Sequence, residues 1–271
     1  MNKCIALAAA LSAAWSLPLV AQPKDPNAEF EKFRAEMEES NPAELFELKG
    51  EELWKAKRGP KNVSLAESCD LGQGVGKVEG AWVKMPRYFA DANAVMDAER
   101  RIVWCMVEKQ GMKFEDIAKK PFQGANDTKA PDITNLVTYV ATASRNMKFD
   151  VPLDDSKVRD SFETGKAIAA YRAGPYDFSC GTCHGGEGKR IRMQNLPNLS
   201  TPEGAIRGVQ GWPGYRMTGG VMLTSQWRMN DCFRQQRFPE PKYASQAVTD
   251  LLTWMAGNSN GQMYKGPGIK R

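Results

Sequence analysis

The only histidine among 271 residues closes the run Cys180-Gly181-Thr182-Cys183-His184, and no other pattern restricts the fold of this chain so tightly. CxxCH is the attachment sequence of a c-type haem, in which two cysteines form thioethers to the macrocycle and the imidazole takes one axial bond to iron. A fold carrying it must wall a large planar group and offer a second group to the far face of the iron. Gly181, Gly185, Gly186 and Gly188 let backbone pass close to such a ring. With no second histidine, the opposite ligand and any acid–base group must be of another residue type. The bland alternative is a CxxC redox pair that happens to precede a histidine.

The N-terminus supplies context. Residues 1–21 read as a secretory leader: Lys3 gives the positive start, Ile5 to Val20 is almost wholly apolar, and Leu19-Val20-Ala21 ends on a small residue before Gln22. The run is short for a membrane span, contains Pro18, and has no apolar successor, so no membrane span is expected. The expected location is the periplasm, in keeping with covalent haem attachment, which takes place outside the cytoplasm. The net charge of +5 is mild, and Lys and Arg are interleaved with acids. That excludes a nucleic-acid-binding stripe and leaves room for a basic patch facing an anion or an acidic partner.

Six cysteines are present, and Cys4 leaves with the leader. Once Cys180 and Cys183 are assigned to a single haem c, Cys69, Cys105 and Cys232 remain, an odd set in an oxidising compartment. An internal repeat sorts them. Arg101 and Arg228 each lie four residues before Cys105 and Cys232, and the pairs Tyr88/Tyr215 and Pro86/Pro213 keep the same register. Aligned on the haem motif, Cys69-Asp70-Leu71-Gly72-Gln73 keeps one cysteine and has Gly72 and Gln73 where the second cysteine and the histidine would stand. The first half reads as a haem domain without haem, with Cys69 at a thioether position and Cys105 at a ligand position, both facing one pocket. A Cys69–Cys105 disulfide is the expected replacement; two unrelated thiols are the alternative.

The expected fold is mainly α: two cytochrome c-like domains from an internal duplication, the N-terminal one without haem. A helical extension over 22–60, with no counterpart in the repeat, precedes the haem-less domain (61–150) and the haem domain (151–271). Phe30, Phe33 and Met37, then Leu45, Leu48 and Leu53, recur at helical spacing. Further helices are expected over Asp91–Gln110, Ile133–Met147, Val158–Ala173 and Tyr243–Met255, with irregular chain over 120–132 and 190–221.

For the iron's second face, Met193, Met217, Met222 and Met229 follow the motif and would make a plain electron-transfer cytochrome. A haem sensor is a further alternative, but no output domain is attached. Cys232 competes because it is left over after pairing, holds the repeat's ligand position, and has Arg228 one turn earlier on the same helix face. A thiolate lowers the iron potential, and the always-charged guanidinium can grip the oxygens of a sulfur oxyanion.

Ser225-Gln226-Trp227-Arg228-Met229-Asn230-Asp231-Cys232-Phe233-Arg234-Gln235-Gln236-Arg237, with Cys180–His184 upstream and a degenerate first half, resembles the SoxA family. Its members are the larger cytochrome subunits of SoxAX, and the likeness runs through nearly the whole mature chain. Some members carry two haems; Gly72 and Gln73 place this chain with the single-haem type, in which a disulfide stands at the vacant site. The resemblance implies a thiosulfotransferase that joins thiosulfate oxidatively to a cysteine of the SoxYZ carrier and passes electrons to c-type cytochromes. It further implies a SoxX partner in a heterodimer, a distal cysteine ligand found as a persulfide, and an active-site arginine four residues before it. Those residues correspond to Cys232 and Arg228.

Overall fold

The structure is a computed structural model in which residues 26–38, 40–119, 131–191 and 194–270 are described. The leader, residues 120–130 and Met193 lie outside them. In chain order the elements are α1 (Pro26–Glu38), α2 (Ala43–Lys55), α3 (Leu65–Ser68), β1 (Arg87–Phe89), β2 (Ala94–Met96), α4 (Ala98–Glu108), α5 (Phe114–Ile117) and α6 (Asp132–Thr142). They continue as α7 (Ser156–Ala170), α8 (Cys180–His184), β3 (Arg190–Ile191), β4 (Gln194–Asn195), α9 (Pro202–Val209), β5 (Gly214–Arg216), β6 (Val221–Leu223), α10 (Ser225–Gln235), α11 (Gln246–Asn258) and β7 (Gly268–Lys270). The described chain is mainly helical, as expected, and none of its helices is long and apolar enough to cross a membrane.

Two helix crossings frame the molecule, and glycine makes both. A Cβ on Gly50 of α2 would sit 2.1 Å from the Asn135 carbonyl oxygen of α6, and one on Gly165 of α7 would sit 1.9 Å from that of Asp250 in α11. Only glycine lets these backbones touch. This close approach sets which face of α2 is buried: Ala43, Gly50, Leu53 and Trp54 turn inward. Leu45 and Leu48 are 71% and 64% exposed, so the leucine spacing marks the helix but not its core face.

A second motif occurs twice. The hairpin β1–β2 pairs Arg87 with Met96, Tyr88 with Val95 and Phe89 with Ala94. β5–β6 pairs Gly214 with Leu223, Tyr215 with Met222 and Arg216 with Val221. The residues on one register are therefore paired in the same way, and the turn positions Asn93 and Gly220 are both left-handed, with φ of 46° and 62°. Each hairpin runs into a capped helix: Asp97 accepts from the Arg100 backbone N–H, and Thr224 from that of Trp227. The Asp97 cap is why the long helix expected from Asp91 begins only at Ala98; Val95 and Met96 belong to the ladder. At its far end the Gly111 N–H bonds to Val107 O, with Gly111 at φ 73°, the left-handed glycine stop of an αL cap, and the Met112 N–H bonds further back to Met106 O. The segment 190–221, expected to be irregular, contains α9, started by the Thr201 cap with Pro202 behind it.

Short capped helices complete the parallel. Ser64 and Glu67 form a capping box at α3, and Ser179 and Thr182 form one at α8. Aligned on these boxes, Leu65 stands against Cys180, Ser68 against Cys183 and Cys69 against His184. This alignment differs by four residues from the register that the cysteines alone suggested. Cys69 and Cys105 are disulfide-bonded, with Cα atoms 5.6 Å apart, and both are fully buried.

The halves meet through the starts of α4 and α10. Gln226 Nε2 donates to Asp97 Oδ2 at 3.0 Å, and Thr249 Oγ1 donates to the same oxygen at 2.7 Å. Reciprocally, Glu99, at Gln226's matched position, lies against the Thr224 side chain and the Gln226 backbone and accepts from the Tyr243 hydroxyl at 2.8 Å. Burial, then the neighbouring Asp97 charge, pushes Glu99 up to about 8. The first half thus holds the N-terminus of α10, the helix that carries Arg228 and Cys232.

Candidate active site

The haem motif lies on α8, whose start Ser179 caps: its Oγ accepts from the Thr182 N–H at 3.2 Å, while Thr182 Oγ1 accepts from the Ser179 N–H at 3.0 Å. One helical turn puts Cys180 and Cys183 on a common side, with His184 next in sequence. His184 Nδ1 and the Pro197 carbonyl oxygen are 2.9 Å apart. With Nδ1–H donating to that oxygen, the tautomer leaves Nε2 with a lone pair aimed away, the state a metal needs. Burial, followed by the Arg228 charge and against the Pro197 bond, lowers His184, which keeps the ring neutral. Pro197 carries no signal in the sequence, because its contribution is a backbone carbonyl delivered by a loop.

Helix α10 supplies the facing groups. Cys180, Cys183 and Cys232 are free of disulfides. Burial pushes Cys180 up to about 11, and the nearby sulfurs of Cys232 and Cys183 add to this. Cys232 is raised by burial first; Arg228 opposes that, while Asp231 and Cys183 reinforce it. The four predicted attachment and ligand residues and Arg228 therefore share one space. The Arg228 charge opposes the rise at Cys232, but burial outweighs it. Its Nη1 donates to Asp231 Oδ2 at 3.1 Å, an i, i+3 pair on α10 that the sequence could have revealed. Of the methionines, Met222 is buried in β6, and Met229, like Phe233, packs against a buried cluster drawn from both halves.

These residues suit a covalent haem: two unpaired cysteines on one turn, a histidine oriented by a carbonyl, and a third free sulfur near the first two. Fold and site together define a c-type cytochrome. A family profile described as the SoxA/TsdA cytochrome c domain matches residues 49–149, the half that lacks CxxCH. The L-cysteine S-thiosulfotransferase subunit SoxA of Hydrogenophilus thermoluteolus is 43% identical over 270 residues, covering 98% of this chain and 97% of that one. The protein of the same name from Hydrogenobacter thermophilus is 31% identical over 260 residues, covering 94% and 93%. The crystal structure of SoxXA from P. pantotrophus matches with a TM-score of 0.70 and 24% identity over 89% of this chain and 84% of that one. The chain belongs to the SoxA family.

Proposed function

We propose that this chain is the catalytic cytochrome subunit of a periplasmic L-cysteine S-thiosulfotransferase, secreted through the leader at 1–21 and paired with a SoxX-type cytochrome. Full-length likeness to proteins of that name supports the activity. The observation that carries the site is that α10 brings a free Cys232 and Arg228 close enough to the haem motif on α8 for their charges to be felt there. In the reaction, the terminal sulfur of thiosulfate bonds to the cysteine sulfur of the SoxYZ carrier. The carrier thiol releases its proton, two electrons pass to c-type cytochromes, and the carrier holds a thiosulfonate, Cys–S–S–SO3−. Bound haem, attached through Cys180 and Cys183, supplies an iron that accepts electrons at the sulfur site. His184 and Cys232 are the residues that would hold its iron. Arg228 fixes the oxyanion end of thiosulfate and leaves its terminal sulfur toward Cys232.

The first half is proposed as a copy of the same unit that has lost its haem. Matched glycine crossings, hairpin registers and capping boxes support this, as does a cytochrome c profile over 49–149. The unit then starts near Ala43 rather than at 61, because α2 corresponds to α7, and the extension shortens to the chain before it. The disulfide joins the places matching His184 and Cys232, the residues that would hold the iron in the second half. One haem c per chain follows. Electron paramagnetic resonance of the oxidised heterodimer tests the ligand set: His/thiolate low-spin g-values are expected for this subunit, and His/Met values would return it to a plain electron-transfer cytochrome.

A further inference from the structure

The carboxylate of Asp231, its side chain only 4% exposed, gathers three donors from its own helix. Arg228 Nη1 lies at 3.1 Å, Arg234 Nη2 at 2.6 Å and Gln235 Nε2 at 2.7 Å. We propose that Asp231 is a positioning residue for thiosulfate transfer, holding the Arg228 guanidinium by one nitrogen and turning the rest of its fork toward the oxyanion at Cys232. This rests on the reading of Arg228 given above.

Helix geometry favours the arrangement. Arg228 and Cys232 are i, i+4 neighbours on one face, with Asp231 at the edge of that face and Arg234 on its far flank. The bond to Asp231 commits one nitrogen of a five-donor group. A carboxylate beside an anion site would ordinarily cancel the cation it holds. Here it is shared with Arg234, so Arg228, Asp231 and Arg234 together keep a net positive charge.

The first half supplies an independent contrast. Arg101, in the matched position, is 2% exposed; its Nη1 and Nη2 donate to Asp91 at 2.8 and 2.9 Å, and its Nε to Asp70 O at 2.8 Å. Its guanidinium carbon also sits 4.0 Å from the ring centre of Phe89 and 4.3 Å from that of Trp104. On the hairpin-and-helix register, Asp91, Phe89 and Trp104 correspond to Thr218, Arg216 and Asp231. Every side chain that locks Arg101 is thus replaced around Arg228, and the acid reappears on the helix itself. Arg228 is left 33% exposed. A guanidinium held at one end and open at the other can reach an anion; one clamped on all sides cannot.

The test uses the haem-loaded heterodimer with thiosulfate as probe. It measures thiosulfate Kd by calorimetry, kcat and KM for carrier thiosulfonation, and the resonance spectrum of the oxidised protein. Asp231→Asn is expected to raise Kd and KM about tenfold, the scale of one charged hydrogen bond, with unchanged g-values. Asp231→Glu should recover part of the loss. Unchanged Kd and KM in Asp231→Asn, while Arg228→Ala raises both, would overturn the inference and leave the role of Arg228 standing. Unchanged values in Arg228→Ala would instead remove the reading beneath it. Altered g-values in Asp231→Asn would also overturn the inference, since the carboxylate would then be holding Cys232. If Asp231→Asn does not accumulate, Arg234→Gln on the exposed flank decides: a KM raised about two- to fivefold is expected, and an unchanged KM overturns the inference.

Discussion

Arg101 and Arg228 occupy matched places on two helices, and their surroundings separate a structural arginine from the one we propose faces substrate. The first is closed in by Asp91, Phe89 and Trp104; the second keeps an open edge beside Cys232. Arg228→Lys should therefore reduce the rate of carrier thiosulfonation by about 2 kcal/mol or more in transition-state terms, because an ammonium cannot span two oxygens of one anion. The His/thiolate spectrum should persist. A normal rate in that variant would make Arg228 structural too. At this scale the sequence was informative wherever side chains carry the chemistry: CxxCH, the leftover cysteine and the arginine one turn before it are all visible as letters. Pro197 was not visible, since any residue has a carbonyl and only the loop path brings this one to Nδ1.

Capping residues explain the elements better than apolar spacing does. Asp97 and Thr201 start helices where hydrophobic periodicity alone misplaced or missed them. The same signals support another register of α3 against α8: matching cysteine to cysteine sets Cys69 against Cys180, whereas matching the Ser64 and Ser179 boxes sets it against His184. The pairing of Cys69 with Cys105 was nonetheless legible, because in a chain expected to be secreted two leftover thiols have few uses other than pairing. The bridge ties the end of α3 to α4 across a sequence separation of 36, a loop closure worth roughly 3 to 4 kcal/mol. Replacing both cysteines with serine should lower the melting temperature while leaving the haem content and resonance spectrum of the second half unchanged. Thiol titration of the unfolded, oxidised wild type should find no more than one reactive thiol; two or more would contradict the bridge.

Across the whole molecule, the half without CxxCH acts as a mount for the other. Asp97 and Glu99 grip the start of α10 from across the interface, and Gln226 returns the contact. None of this was visible in advance, because a buried acid and an exposed one are the same letter until the fold brings the halves together. Between about pH 4.5 and 8 the unfolded chain has released the Glu99 proton and the folded chain still holds it, so this group makes stability fall as pH rises, by up to about 1.4 kcal/mol per pH unit. Glu99→Gln should remove that slope, read as the difference between variant and wild-type melting temperatures from pH 5 to 9; parallel curves would contradict a protonated Glu99. The central claim is that Cys232 and its neighbours transfer thiosulfate to a carrier thiol, and the most direct test is the intact mass of SoxYZ after incubation with thiosulfate, oxidised cytochrome c and the heterodimer. Wild type should add thiosulfonate to the carrier, and Cys232→Met, with haem still attached through Cys180 and Cys183, should not; thiosulfonation by that variant at the wild-type rate would contradict the claim.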